Sequence, residues 1–127
     1  MASGYADRPD YRVDLLHRRN RCEARSGDVL LASSERCIVV DEQDHGLVVY
    51  FPRGDVRLDQ LEGSDHTTHC PYKGDASHWT LRGGTEVVAW TYQDPHPEVA
   101  QLRDHVAFYQ DRVTVSIGVA TPAVSGR

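Results

Sequence analysis

Short apolar runs alternate along the chain with clusters of turn residues. VLLAS (29–33), RCIVVD (36–41), LVVYF (47–51), TEVVAWTY (85–92) and RVTVSI (112–117) are rich in β-branched and aromatic residues. Such residues suit a pleated, half-buried surface, so each run is predicted as a strand. Ser26-Gly27-Asp28, Asp44-His45-Gly46, Arg82-Gly83-Gly84 and Gln110-Asp111 stand between runs at the spacing of hairpin turns. Within TEVVAWTY, period-2 alternation assigns Val88, Trp90 and Tyr92 to one face and Val87, Ala89 and Thr91 to the other. Within RVTVSI it sets Val113, Val115 and Ile117 against Thr114 and Ser116, the pattern of a sheet with one wet face. Helical signal is confined to DVRLDQLE (55–62) and PEVAQLRDH (97–105), each long enough for a turn or two. Pro97 and Glu98 suit a first helical turn.

The pattern defines one all-β domain over residues 11–117. Residues 1–10 are polar and aperiodic and read as a flexible leader, and GVATPAVSGR (118–127) reads as a flexible tail. A chain of 127 residues, 39% hydrophobic and 26% charged, has the composition of a soluble domain with one modest core.

Charge narrows the partners. A net charge of −5 argues against a nucleic-acid surface, which needs a clustered basic field. The one basic cluster, HRRNRCEAR (17–25), reads as a solvated edge strand whose charges discourage edge pairing. No apolar run approaches the ~18 residues of a membrane helix and no signal-peptide pattern opens the chain, so the expected setting is cytoplasmic, without membrane contact. The cysteines Cys22, Cys37 and Cys70 are odd in number and form no CxxC, as expected of reduced thiols.

The densest chemistry lies in THCPYKGDASHW (68–79), for which three readings compete. His66, His69, Cys70 and His78 are donors of the type that zinc uses. Only this segment offers them, however, and on an extended strand His66 and His69 face opposite ways, so no metal and no cofactor is expected. Cys70 could serve as a catalytic nucleophile if Lys73 or His69 lowered its pKa; otherwise it is a small buried hydrophobe. Tyr50, Tyr72, Trp79, Trp90, Tyr92 and Phe108 supply rigid aromatic surface which, with the Lys73 ammonium, makes either a ligand pocket or an ordinary aromatic core. EGSD (62–65) has the Gly-Ser of nucleotidyltransferases but no Asp-x-Asp follows to hold magnesium, and no P-loop, GxGxxG or GxSxG occurs. Asp55 and Asp59 stand at i, i+4 and read as a solvated turn.

VVYFPRGDV (48–56), THCPYKGDASHW (68–79), AWTYQDPHPEV (89–99) and VAFYQDRVTV (106–115) together resemble, in this order, the blocks of the domain of unknown function 427 family. The resemblance implies a β-tent, two antiparallel sheets meeting at an angle with one or two short helical turns. Many proteins of that architecture pin their sheets with zinc held by two CxxC pairs. This chain has neither, which leaves the pinning to packing and turn chemistry. His78 stands where the family tends to carry an aromatic residue. The nucleotidyltransferase label attached to the family would need the missing Asp-x-Asp.

The expected site is thus a cleft lined by Tyr50, His69, Cys70, Tyr72, Lys73, Trp79, Trp90 and Tyr92. It would bind a small anionic or polar-aromatic molecule, with Lys73 supplying charge and the tryptophans a stacking wall. The alternatives are an enzyme using Cys70 with Lys73 or His69, and a peptide- or protein-interaction module.

Overall fold

A computed structural model describes residues 4–120, and the fold is all-β. The strands in chain order are β1 (Val13–His17), β2 (Asn20–Ser26), β3 (Val29–Ser34), β4 (Ile38–Glu42), β5 (Val48–Pro52), β6 (Leu61–Cys70), β7 (Gly74–Leu81), β8 (Val87–Tyr92), β9 (His105–Phe108) and β10 (Thr114–Ala120). Seven form one sheet in the order β1-β4-β5-β9-β8-β7-β6, and three form a second in the order β10-β2-β3. Every pairing is antiparallel. The described helical segments are 3₁₀ turns at Gly4–Ala6, Arg53–Asp55, Leu58–Gln60 and Pro97–Leu102. The last of these begins at the expected Pro97 and buries Val99 and Leu102. Positions 1–3 of the expected leader and 121–127 of the expected tail lie outside the described residues.

Each predicted apolar run is a strand, but three details depart from the pattern. The arginine-rich stretch is the central strand of the small sheet rather than an edge. Cys22 and Ala24 are fully buried while Arg21, Glu23 and Arg25 turn outward, so the charges occupy one face of a paired strand. The Gln110-Asp111 turn makes no hairpin, because β9 and β10 belong to different sheets. The Tyr109 carbonyl accepts from the Arg112 and Val113 N–H groups at 3.0 and 2.9 Å, and the chain crosses there from one sheet to the other. In β8 the ladder shifts between Trp79↔Ala89 and Thr80↔Val87. Val88 is the extra residue of a β-bulge and packs in the same cluster as Ala89, not with Trp90 and Tyr92.

Two apolar clusters follow. One lies between the sheets, with Cys22, Ala24 and Leu31 of the small sheet against Val39, Phe51, Val106 and Phe108 of the large one. Phe51 and Phe108 meet edge to face at 5.7 Å. The other covers the opposite face of the large sheet, where Ile38, Val40, Tyr50, Ala76, Tyr92 and Ala107 pack with Val99 and Leu102. The large sheet is therefore two-sided, and its second face carries the candidate site.

Candidate functional site

The stretch 68–79 folds as the end of β6, a three-residue loop Pro71-Tyr72-Lys73, and β7, with Cys70 paired to Gly74. The Lys73 N–H donates to the Cys70 carbonyl at 3.3 Å and the Lys73 carbonyl accepts from the His96 N–H at 2.9 Å. Gly74 has φ +123° and lies so close to the loop after β8 that a Cβ would sit 3.2 Å from the Asp94 carbonyl oxygen. Only glycine meets both conditions without strain. This close approach holds the hairpin end and aims the Lys73 side chain inward.

Lys73 then meets Glu42 at the far end of β4. In a flat sheet β4 and β7, four steps apart, would stand about 19 Å from one another at ~4.8 Å per step. Instead the Lys73 ammonium donates to Glu42 Oε1, so the sheet coils until its two flanks face across a cleft. The Tyr11 hydroxyl donates to Glu42 Oε2 at 2.5 Å, and His45 Nε2 stands 3.7 Å from the same oxygen. Burial pushes the Glu42 carboxyl up, but hydrogen bonds from Lys73 and Tyr11, with the nearby charge of Lys73 and His45, outweigh it and hold the group below the usual range. Burial and the Glu42 carboxylate push the Tyr11 phenol up. Tyr11 also stacks on Tyr72 with centroids 3.7 Å apart and planes 8° apart, while Tyr5 meets Tyr72 edge-on at 5.2 Å. The Gly4 N–H donates to the Pro71 carbonyl at 2.5 Å, so the segment before β1 packs on the same loop.

The floor comes from β5 and β8. Trp90 Nε1–H donates to the Tyr50 hydroxyl at 3.3 Å, and the Tyr50 ring lies 6.1 Å from Trp90 and 6.4 Å from Tyr92. Burial pushes the Tyr50 and Tyr92 phenols well up, so both remain neutral hydrogen-bonding groups. The cleft is open to solvent and has a volume of about 450 Å³.

Of the expected residues, Tyr50, His69, Cys70, Tyr72, Lys73, Trp90 and Tyr92 line this cleft. His69 stands at its margin with Nδ1 2.7 Å from Asp75 Oδ1. Trp79 does not line it. One residue beyond His78 on β7, it points to the other face, packs against the inter-sheet cluster and carries the Arg53 guanidinium over its ring at 5.6 Å. Tyr11, Val40, Glu42, His45 and Val48 line the cleft without having been expected there. Glu42 had a signal: Ile38, Val40 and Glu42 share one face of an alternating strand, so an acid continues an apolar register. Tyr11 had none.

The four possible zinc donors are not gathered. Cys70 lies in the cleft, His69 is bonded to Asp75, and the His66 and His78 rings pack against each other at 4.8 Å. Among the described residues no three His, Cys, Asp or Glu side chains are placed to hold a metal ion. His78 is buried, which pushes its pKa down. The neutral ring donates from Nδ1 to the His66 carbonyl at 3.3 Å and accepts at Nε2 from the Tyr109 hydroxyl at 3.1 Å. Tyr109 in turn packs on Trp90 at 4.6 Å, so this pair backs the cleft wall.

No described helix is long and apolar enough to cross a membrane. No curated protein matches the chain. The CPYKG hairpin, the tryptophan–tyrosine floor and the order of the strands that carry them fall within residues 14–118, which match the model of the domain of unknown function DUF427, and the chain belongs to that family.

Proposed function

We propose that the protein binds a small, neutral molecule with a flat polar ring in the cleft between Tyr72 and Trp90. The observation that carries this reading is the pairing of Lys73 with Glu42 at the cleft wall. That pairing uses the ammonium expected to meet an anion, leaving aromatic faces and the neutral hydroxyls of Tyr50 and Tyr92. A volume of about 450 Å³ fits a small ligand, since such pockets run ~300–1,000 Å³. An anionic ligand would have to compete with Glu42 for its cation. The enzyme reading asks Lys73 or His69 to activate Cys70, and both bases are bonded to carboxylates. Three free thiols fit a reducing compartment such as the cytoplasm.

A thermal-shift panel of neutral heteroaromatic compounds and their phosphorylated or carboxylated analogues tests the proposal. A ligand at 100 times its Kd adds ~2.7 kcal/mol of apparent stability. The shift should come from neutral members, vanish in Trp90→Ala and persist in Trp79→Ala. Shifts confined to anionic members, or indifferent to Trp90→Ala, would overturn it.

A further inference from the structure

We infer that Cys22 and Cys37 form a redox-active dithiol that closes into a disulfide between the two sheets, taking a small anionic disulfide through an arginine-lined cleft as its co-reactant. Cys22 belongs to β2 of the small sheet, and Cys37 directly precedes β4 of the large one. Both neighbour one residue: Cys22 pairs with Ser34 across the β2–β3 ladder, and the Cys37 thiol donates to the Ser34 carbonyl at 3.9 Å. Both side chains sit in the inter-sheet cluster, where the Cys22 thiol donates to the Asn20 carbonyl at 3.6 Å and the two sulfurs lie close enough to act on each other's ionisation. Residues far apart in the sequence are thereby placed as a pair, whereas Cys70 belongs to the cleft on the opposite face of the large sheet.

Cys37, itself buried, borders a surface cleft of about 380 Å³ that is lined also by His17, Arg18, Arg19, Glu35 and Arg36. Glu35 pairs with Arg21 and Arg36 with Asp55. The Arg18 and Arg19 guanidinium groups have no ion-pair partner among the described residues. In a chain of net charge −5 this corner is locally positive, and two free guanidinium groups suit a carboxylate-bearing disulfide of the glutathione type.

The exchange balances without any other reagent. Cys37, as thiolate, attacks one sulfur of the small disulfide, whose S–S bond breaks; a mixed disulfide forms and the departing thiolate takes up a proton. Cys22 then loses its proton and displaces the second small thiol from Cys37. One S–S bond and two protein S–H bonds are lost; one protein S–S bond and two small-molecule thiols appear. Burial pushes both protein thiols up, so the pair reacts slowly and stays reduced unless oxidant is sustained.

Native protein incubated with millimolar oxidised glutathione, alkylated, digested and analysed without reduction tests this. The expected product is a Cys22–Cys37 cross-linked peptide lighter by two hydrogens, formed equally in Cys70→Ser, with a melting temperature raised by roughly 5 °C or more. Arg18→Ala with Arg19→Ala should slow the reaction with oxidised glutathione several-fold and leave that with neutral hydroxyethyl disulfide unchanged. This last comparison uses a protein that keeps both cysteines in place. Cross-linking seen only in denaturant, or glutathione retained on Cys37 with no bond to Cys22, would overturn the pair. Equal slowing with both disulfides would overturn the arginine route.

Discussion

Lys73 and Glu42, 31 positions apart in the chain, form an ion pair whose side chains are 7% and 12% exposed, and this pair bridges two flanks of one sheet. Removing one partner strands the other charge out of water. Lys73→Met or Glu42→Leu should therefore cost about 3–5 kcal/mol, and the double variant Lys73→Met with Glu42→Leu should cost less than either. Denaturant melts of the four proteins measure the coupling, and additive losses would contradict it.

The same residue shapes the acid limb of stability. The Glu42 pKa is held below its ordinary value of 4.5, so its contribution is fully present above about that pH and is lost as pH falls through the folded-state pKa. His78 behaves likewise one step higher. Its pKa is depressed below 6.5, so the neutral ring contributes fully above that value and the contribution fades as pH drops toward the folded pKa. Urea midpoints should fall in two stages on acidification. Glu42→Gln should remove the lower stage and His78→Phe the upper, and an unchanged pH profile in either variant would refute its assignment.

Gly74→Ala should destabilise by ~1–3 kcal/mol, since it combines a left-handed φ of +123° with a Cβ 3.2 Å from the Asp94 carbonyl. Gly54, with nothing within 4 Å of an added Cβ, is the control, and its alanine variant should be neutral or slightly stabilising. The comparison is read from denaturant melts, and equal effects would show that the approach of β7 to the Asp94 loop relaxes freely.

Iodoacetamide in native buffer should label Cys70 before the other two cysteines, because Cys22 and Cys37 are fully buried while Cys70 lines an open cleft. Mass spectrometry of a time course reports the order. Faster labelling of Cys70 in Lys73→Ala than in the parent would show that the ion pair restricts entry; slower labelling would restore Lys73 as an activator of the thiol and favour the enzyme reading.

Local residue choice was enough to determine the β class, because alternation, β-branching and turn chemistry act over a few positions. The runs at 29–33, 47–51 and 112–117 became β3, β5 and β10, and Asp44-His45-Gly46 became the turn between β4 and β5. Most of the lining of the candidate cleft was legible too, since Tyr50, Tyr72, Lys73, Trp90 and Tyr92 stand in chemically dense segments. β6 was not. Six of its ten positions are polar and exposed, and it is a strand because β7 supplies its hydrogen bonds.

What tertiary structure alone decided was orientation and partnership. Trp79 turned away from the cleft because it neighbours His78 on an alternating strand, and Val88 changed face because one extra residue in β8 shifts the register. Lys73 became half of an ion pair because the sheet coils far enough to bring β4 to the β6–β7 loop. Twist accumulates over several strands, and no stretch of sequence shorter than the whole sheet encodes where its two flanks will meet. Cys22 and Cys37 share that dependence, since they enter one cluster only where the two sheets lie face to face.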